Sequence, residues 1–240
     1  MNVAINIGAN TNEPGFRAPV WADGRFEYIP IPESKPTAEA VPTYGDLAPH
    51  LTTDIPAAIA DTPVHLDPEF PEYPFCERYT YGDEHGVKAG PLSALSAGEY
   101  VFFYATLSVA EESEWLPPRW GAFVIGHLRL AHYPVTGTEY ETLSSAERAP
   151  YANNAHVKRE TNDARVLLLG DPDESKLYDR AVPLSAPTGG TDANWLVTEC
   201  SDDSGKGPWW RRPLRFDSSA TDTLLEATAM EPAQVVNYQP

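Results

Sequence analysis

Half of the chain's 24 prolines fall between Pro14 and Pro74. That density excludes long helices there, because proline lacks the N–H a helix needs and its ring clashes with the preceding turn. Residues 14–74 are therefore expected to run as extended pieces and turns over a surface. Within them, Arg25-Phe26-Glu27-Tyr28-Ile29-Pro30-Ile31 has the aromatic and branched content of a strand.

Outside this segment the apolar runs are clearer. Val3–Ile7 reads as a buried strand stopped by Gly8, Glu99–Leu107 and Gly121–Leu130 as two central strands, and Ala164–Gly170 as a third. Ser144-Ser145-Ala146-Glu147-Arg148 carries the capping residues of a helix start that would run toward Lys158, and Thr221–Met230 reads as a terminal helix. Strands outnumber helices without a regular βαβ alternation. The expected class is α+β, a mixed and mostly β sheet or a small barrel with a few peripheral helices, with parallel α/β as the alternative. The 240 residues fit a single domain, taken as 1–240 with the proline-rich segment inside it.

The charge bears on habitat more than on fold. A net charge of -18 arises from 35 acids against 17 bases, and only Lys35, Lys88, Lys158, Lys176 and Lys206 among the bases are lysines. An acidic, lysine-poor surface suits molar salt, where the Debye length falls to about 3 Å and self-repulsion is screened. The protein reads as halophilic, an ordinary acidic protein being the alternative, and its charge then says little about nucleic-acid binding. Cys76 and Cys200 have no metal or redox spacing, there is no basic leader, and no apolar run approaches the roughly 18 residues of a membrane span. A reduced, cytoplasmic setting with no membrane partner is expected.

Chemistry is expected first in Gly8-Ala9-Asn10-Thr11-Asn12-Glu13-Pro14-Gly15-Phe16-Arg17, directly beyond a strand end. Asn10 and Thr11 offer amide and hydroxyl groups, Gly15 lets backbone approach a ligand, Phe16 gives a stacking face and Arg17 a planar fork for phosphate or a purine edge. The purely architectural reading is a turn in which Asn10 and Thr11 bond their own backbone and Arg17 meets a surface acid. His65, Asp67, Asp83 and His85 contain the makings of an acid–base or metal cluster, but their spacing supplies no complete ligand set, so no metal is assigned, and Tyr81 beside Asp83 is expected to border the ligand cavity. Asn154, His156 and Lys158 lie in a run dense in donors that would hold phosphate or read a base edge, or else form a salt-bridged face with Glu147 and Glu160. Trp209-Trp210 ahead of Arg211-Arg212 would stack bases or pack internally. GxSxG, HExxH and CxxC signatures are absent, and the sequence names no cofactor.

Several of these segments together resemble a family. Asn6-Ile7-Gly8-Ala9-Asn10-Thr11 with Pro14-Gly15-Phe16-Arg17, then Phe26–Glu33, His65-Leu66-Asp67-Pro68, Thr80-Tyr81-Gly82-Asp83, Asn154-Ala155-His156, and Gly170-Asp171-Pro172 with Ser175 are similar to the third type of nucleotide-modification-associated domain, to about residue 187. The resemblance implies a role in systems that modify nucleic-acid bases. A shorter likeness, Gly98–Tyr104 followed by Gly121–Gly126, is to PUA-like barrels such as the EVE and YTH readers of modified bases.

These implications lead to a pocket reader that takes a modified base or nucleotide between Asn10, Phe16 and Arg17, with Asn154, His156 and Lys158 near its phosphate. One alternative is a base-modifying enzyme using Asp83 or Asp67 as general base with Arg17 steadying an anion. Another is a scaffold for base-modification enzymes. The expected partner is a nucleotide or a short nucleic acid.

Overall fold

The apolar runs outside residues 14–74 form the strands expected of them. The computed structural model describes residues 1–238, in two compact units whose chain segments alternate along the sequence.

Unit 1 comprises Met1–Ile29, Val101–His127 and the chain from Tyr178 onward. Its sheet is built from β1 (Asn2–Asn6), β2 (Pro19–Val20), β4 (Tyr100–Val109), β5 (Trp120–Arg129), β8 (Lys176–Pro183) and β9 (Leu214–Phe216). The order is β8-β5-β4-β1-β9, with β2 against β4. β1 lies parallel to β4, Val3 opposite Val101 and Asn6 opposite Tyr104, and antiparallel to β9, Asn2 opposite Phe216. Val3, Ala4 and Ile5 are buried together with Val101, Phe102, Phe103 and Tyr104. Successive residues are buried because both faces are covered, and covered strands read as continuous apolar runs. Each buried phenylalanine contributes about 1.5–3 kcal/mol. His127 is a satisfied core histidine, its Nδ1 2.7 Å from the Tyr178 hydroxyl. The helix Ser218–Thr228 starts on an Asp217 cap, Ala220 N–H donating to Oδ1 at 2.8 Å, and buries Thr221, Leu224 and Ala227 along one stripe.

Unit 2 comprises Pro30–Tyr100 and Leu128–Leu177. Its three-stranded sheet has β7 (Val166–Leu169) between β3 (Thr80–Asp83) and β6 (Val135–Thr136), all antiparallel. Tyr140, Tyr151, Ala164 and Leu167 form a buried cluster, the two tyrosine rings edge to face at 6.0 Å. Through residues 30–74 the chain makes single bridges, Pro32 to Val64 and Thr43 to Pro63, and short helical turns at Tyr44–Leu47, Ala48–His50 and Ala57–Ile59.

The class is α+β, in its open form. No closed barrel forms among the described residues, which corrects the barrel that the PUA-like likeness implied. Two local expectations also change. Arg25–Ile31 forms no strand: besides the bridge from Phe26 to Val20 and the Glu27 N–H bond to the Pro19 carbonyl at 3.1 Å, its Arg25, Ile29 and Ile31 carbonyls accept from the scattered N–H groups of Trp21, Ala9 and His65, and Pro30 has no N–H with which to continue a ladder. The helix from Ser144 ends early: Ser145–Arg148 is α-helical, Ala149–Tyr151 is a 3₁₀ turn around Pro150, and turns follow. Among the described residues no helix is long and apolar enough to cross a membrane.

Candidate functional site

Unit 2 concentrates the polar residues. β3 is a strand of Thr-Tyr-Gly-Asp in which every residue is buried, so its backbone and side chains need internal partners. Asp67, just before the cis peptide to Pro68, supplies the first: both its carboxylate oxygens accept the Gly82 N–H, at 3.0 and 3.1 Å. Asn154 supplies the second, its Nδ2 donating to Asp67 Oδ1 at 2.8 Å and to Thr80 Oγ1 at 3.1 Å while its Oδ1 accepts the His156 N–H at 3.0 Å. The tight turn after Tyr151 thus spends Asn154 on positioning Asp67 and His156.

Two imidazoles face Asp67. His65 Nε2 lies 3.9 Å and His156 Nε2 3.7 Å from Asp67 Oδ2, beyond hydrogen-bond range. The rings meet edge to face with centroids 4.8 Å apart. Each ring's other nitrogen is held by a carboxylate, His65 Nδ1 by Glu33 Oε2 at 2.6 Å and His156 Nδ1 by Asp163 Oδ1 at 2.9 Å. Arg159 ties these carboxylates together, reaching Glu33 at 3.0 Å, Glu84 at 3.0 Å and Asp163 at 2.8 Å, and Lys35 bridges Glu84 and Asp163. The side chains of His65, Asp67, His156, Glu33 and Arg159 are all buried.

Burial dominates the protonation chemistry. It drives the Asp67 carboxyl well above the usual range, against the opposing hydrogen bonds from Gly82 and Asn154. It also pushes His156 down to about 4, helped by the neighbouring His65 charge, so His156 is neutral at pH 7. Burial would raise Glu33 too, but the hydrogen bond and charge of His65 and the Arg159 hydrogen bond bring it down to about 2.

The remaining predicted residues have local duties. Asp83 is buried, but its oxygens accept from the Tyr81 hydroxyl at 2.9 Å and the His85 N–H at 2.7 Å, with Lys88 Nζ at 4.0 Å. His85 turns outward, 74% exposed, with its Nε2 3.5 Å from Glu84 rather than near Asp67. Lys158 donates to Asn153, which binds Glu69 and the Phe75 carbonyl. Glu147 closes a capping box on Ser144, so the acids that answer Arg159 are Glu33, Glu84 and Asp163, not Glu147 or Glu160. Those three acids, Arg159 and Lys35 were absent from the sequence-level site.

Asn10, Thr11, Gly15, Phe16 and Arg17 belong to unit 1. Asn10 Oδ1 accepts the Asn12 N–H at 2.8 Å and the Glu13 N–H at 3.4 Å, which makes it a turn former. Thr11 is exposed, and Gly15 has φ 113°, a conformation that excludes most side chains. Phe16 and Arg17 are half-buried. The Arg17 guanidinium carbon sits 4.3 Å from the centre of the Trp120 ring, and Trp120 meets Trp210 edge to face at 5.4 Å. Arg17 has no acid within ion-pair range among the described residues, and its buried Nε has no hydrogen-bond partner. Burial and then the charge of Arg211 lower its pKa. Trp209 packs inside, fully buried, with its Nε1 donating to the Thr191 carbonyl at 2.9 Å.

A model of the family described as nucleotide modification associated domain 3 matches residues 2–226. The chain belongs to this family. No curated protein and no solved structure matches it. The nucleotide-modification-associated domain therefore extends past residue 187, through β9 and into the last long helix, and it holds both the Asp67 centre and the Arg17 loop. Family membership carries the association with nucleotide modification.

Proposed function

We propose that this domain is an enzyme acting on a nucleotide or nucleic-acid base within a modification system, and that the Asp67 centre of unit 2 is its working site. The observation that carries the reading is Asp67 itself. Its carboxyl is buried, oriented from two sides and opposed by two imidazoles whose remaining nitrogens are fixed. Burying so many ionisable groups is a poor way to gain stability, since desolvation offsets much of the attraction. Groups whose charge is set by burial beside designated partners are instead characteristic of working sites. Asp67 is favoured over Asp83, whose oxygens are engaged in holding its own turn. Residues 1–240 are read as one functional domain, working in the cytoplasm of a salt-rich cell beside base-modification enzymes.

The test is incubation of the protein with nucleotides, modified nucleosides and short oligonucleotides in molar potassium chloride, with products analysed by mass. Turnover that is lost in Asp67→Asn supports the enzyme. Binding without any product, or product formation equal in Asp67→Asn, overturns it.

A second reading, the reader of a modified base, is favoured by Arg17. A guanidinium stacked on Trp120, with an unpaired Nε and a second arginine nearby, suits a nucleotide phosphate. Binding that depends on Arg17 but yields no product would select it.

A further inference from the structure

Three donor atoms in unit 2 face a common point. His65, Asp67 and His156 are each buried, and one nitrogen or oxygen from each lies within 4.8 Å of the others. The separations from Asp67 Oδ2, 3.9 Å to His65 Nε2 and 3.7 Å to His156 Nε2, are too long for hydrogen bonds. They are close to what a shared ion imposes: two bonds of about 2.1 Å at a tetrahedral angle hold their ligand atoms roughly 3.4 Å apart. Along both separations from Asp67 Oδ2, closing onto an ion needs shifts of only a few tenths of an ångström.

The surroundings point the same way, independently of those distances. A metal-bound imidazole needs its lone pair on the ligating nitrogen and its proton on the other, usually held by a carboxylate. Both rings are placed for that condition, His65 Nδ1 beside Glu33 at 2.6 Å and His156 Nδ1 beside Asp163 at 2.9 Å, with Arg159 nitrogens also 3.4 and 3.1 Å from the two Nδ1 atoms, and both leave Nε2 for the ion. The Asp67 carboxylate is anchored from behind by Gly82 N–H and Asn154 Nδ2. Glycine at 82 makes room, because a Cβ there would lie 2.6 Å from His156 Cδ2. Around the point stand the carboxylates of Asp67, Glu33, Asp163 and Glu84 against the cations Arg159 and Lys35, an excess that a divalent ion would balance.

We propose that His65 Nε2, Asp67 and His156 Nε2 bind one divalent first-row transition-metal ion. Two imidazoles and a carboxylate suit zinc, iron(II) or manganese(II), whereas magnesium and calcium prefer all-oxygen sites. The inference rests on the reading of the Asp67 centre as the working site, and it assigns the buried carboxylate the role of ligand. Glu33 and Asp163 are positioning residues that act through the imidazoles.

The test uses the whole protein at high salt, stripped with chelator and dialysed in turn against Zn²⁺, Mn²⁺ and, without oxygen, Fe²⁺. Elemental analysis is expected to give one ion per chain for at least one metal. His65→Ala and His156→Ala should each weaken binding more than tenfold, and Glu33→Gln about 10–100-fold. Should the alanine variants fail to fold, Co²⁺-loaded wild-type protein decides. Two exchangeable, paramagnetically shifted imidazole N–H resonances are expected, one from each Nδ1. No retained metal, binding unchanged in folded histidine variants, or Co²⁺ protein without those resonances would overturn the site. Metal content is measured without nucleotide, so the two readings fail separately. A protein that holds the ion but converts no nucleotide refutes the enzyme alone, and turnover undiminished in metal-free protein refutes the metal site alone.

Discussion

Gly82→Ala tests the Asp67 centre through a single carbon. A Cβ at position 82 would lie 2.6 Å from His156 Cδ2, 3.2 Å from its Cγ and 3.1 Å from Asn154 Oδ1. Gly82 does not need a left-handed backbone, so the substitution acts by volume and not by conformation. The imidazole has little freedom to yield, since it is buried, bonded to Asp163 and packed edge-on against His65. Overpacking of this kind costs about 1–3 kcal/mol, and a displaced ring would weaken hydrogen bonds worth about 1 kcal/mol each. Against this, replacing glycine by alanine within regular structure returns roughly 0.5–1 kcal/mol. The expected net loss is about 1–3 kcal/mol. Gly90 is the control: it lies in the helix Gly86–Ser93 with nothing beyond its chain neighbours within 4 Å of an added Cβ, and the following Pro91, which crowds a Cβ on the residue before it, offsets the helix gain, so Gly90→Ala should change stability by no more than about 0.5 kcal/mol. Urea unfolding of both variants in molar potassium chloride measures the difference. If Gly82→Ala is as stable as Gly90→Ala, the centre is not packed as described.

Other consequences can be checked with few variants. Arg17→Ala should abolish nucleotide binding, followed by tryptophan fluorescence, yet move the unfolding free energy by no more than about 1 kcal/mol, the scale of a half-exposed cation on an aromatic ring; unfolding instead would make Arg17 structural. Asn154→Leu removes bonds to Asp67, Thr80 and the His156 N–H and should destabilise by about 2–4 kcal/mol, read by denaturation, because it strands buried polar groups. Nucleotide affinity should change less than about tenfold between moderate and molar potassium chloride, since stacking and a few desolvated hydrogen bonds would carry it; a log–log slope steeper than about -3 would indicate several phosphate contacts.

What was legible in the chain depended on how locally each feature is determined. β4 and β5 are long aromatic and branched runs buried nearly throughout, and nothing in their surroundings had to be known. β8 escaped because Lys176, Asp179 and Arg180 interrupt its apolar residues, giving a burial pattern without clean alternation. Arg25–Ile31 has strand composition, but a strand also needs donors, and Pro30 and Pro32 remove them. Asp67 and His156 were picked out as separate pieces, and His65 was noted beside Asp67. Their convergence was invisible, because the Asn154 bond to Asp67 spans 87 positions and the Arg159 bond to Glu33 spans 126. Glu33 offered no signal apart from sitting within the family-like run that ends at Pro32-Glu33. The sequence carries the helix from Ser144 on toward Lys158, since nothing local says that the Asn154 amide will bind a distant carboxylate.

Strand β1 leaves the ribosome before the other described strands and acquires its second neighbour from the last of them. Its parallel partner β4 is synthesised midway, but the antiparallel partner β9 arrives only with Leu214–Phe216, and Asn2 makes its 2.6 Å bond to Thr221 later still. Until then Val3, Ala4 and Ile5 present an apolar strand edge that can pair with any extended segment it meets. Such wide separation between partners also slows folding relative to a fold of local contacts. A premature stop ahead of Leu214 therefore produces a chain in which β1 keeps an open edge, and such fragments should accumulate as aggregates rather than as shortened working domains.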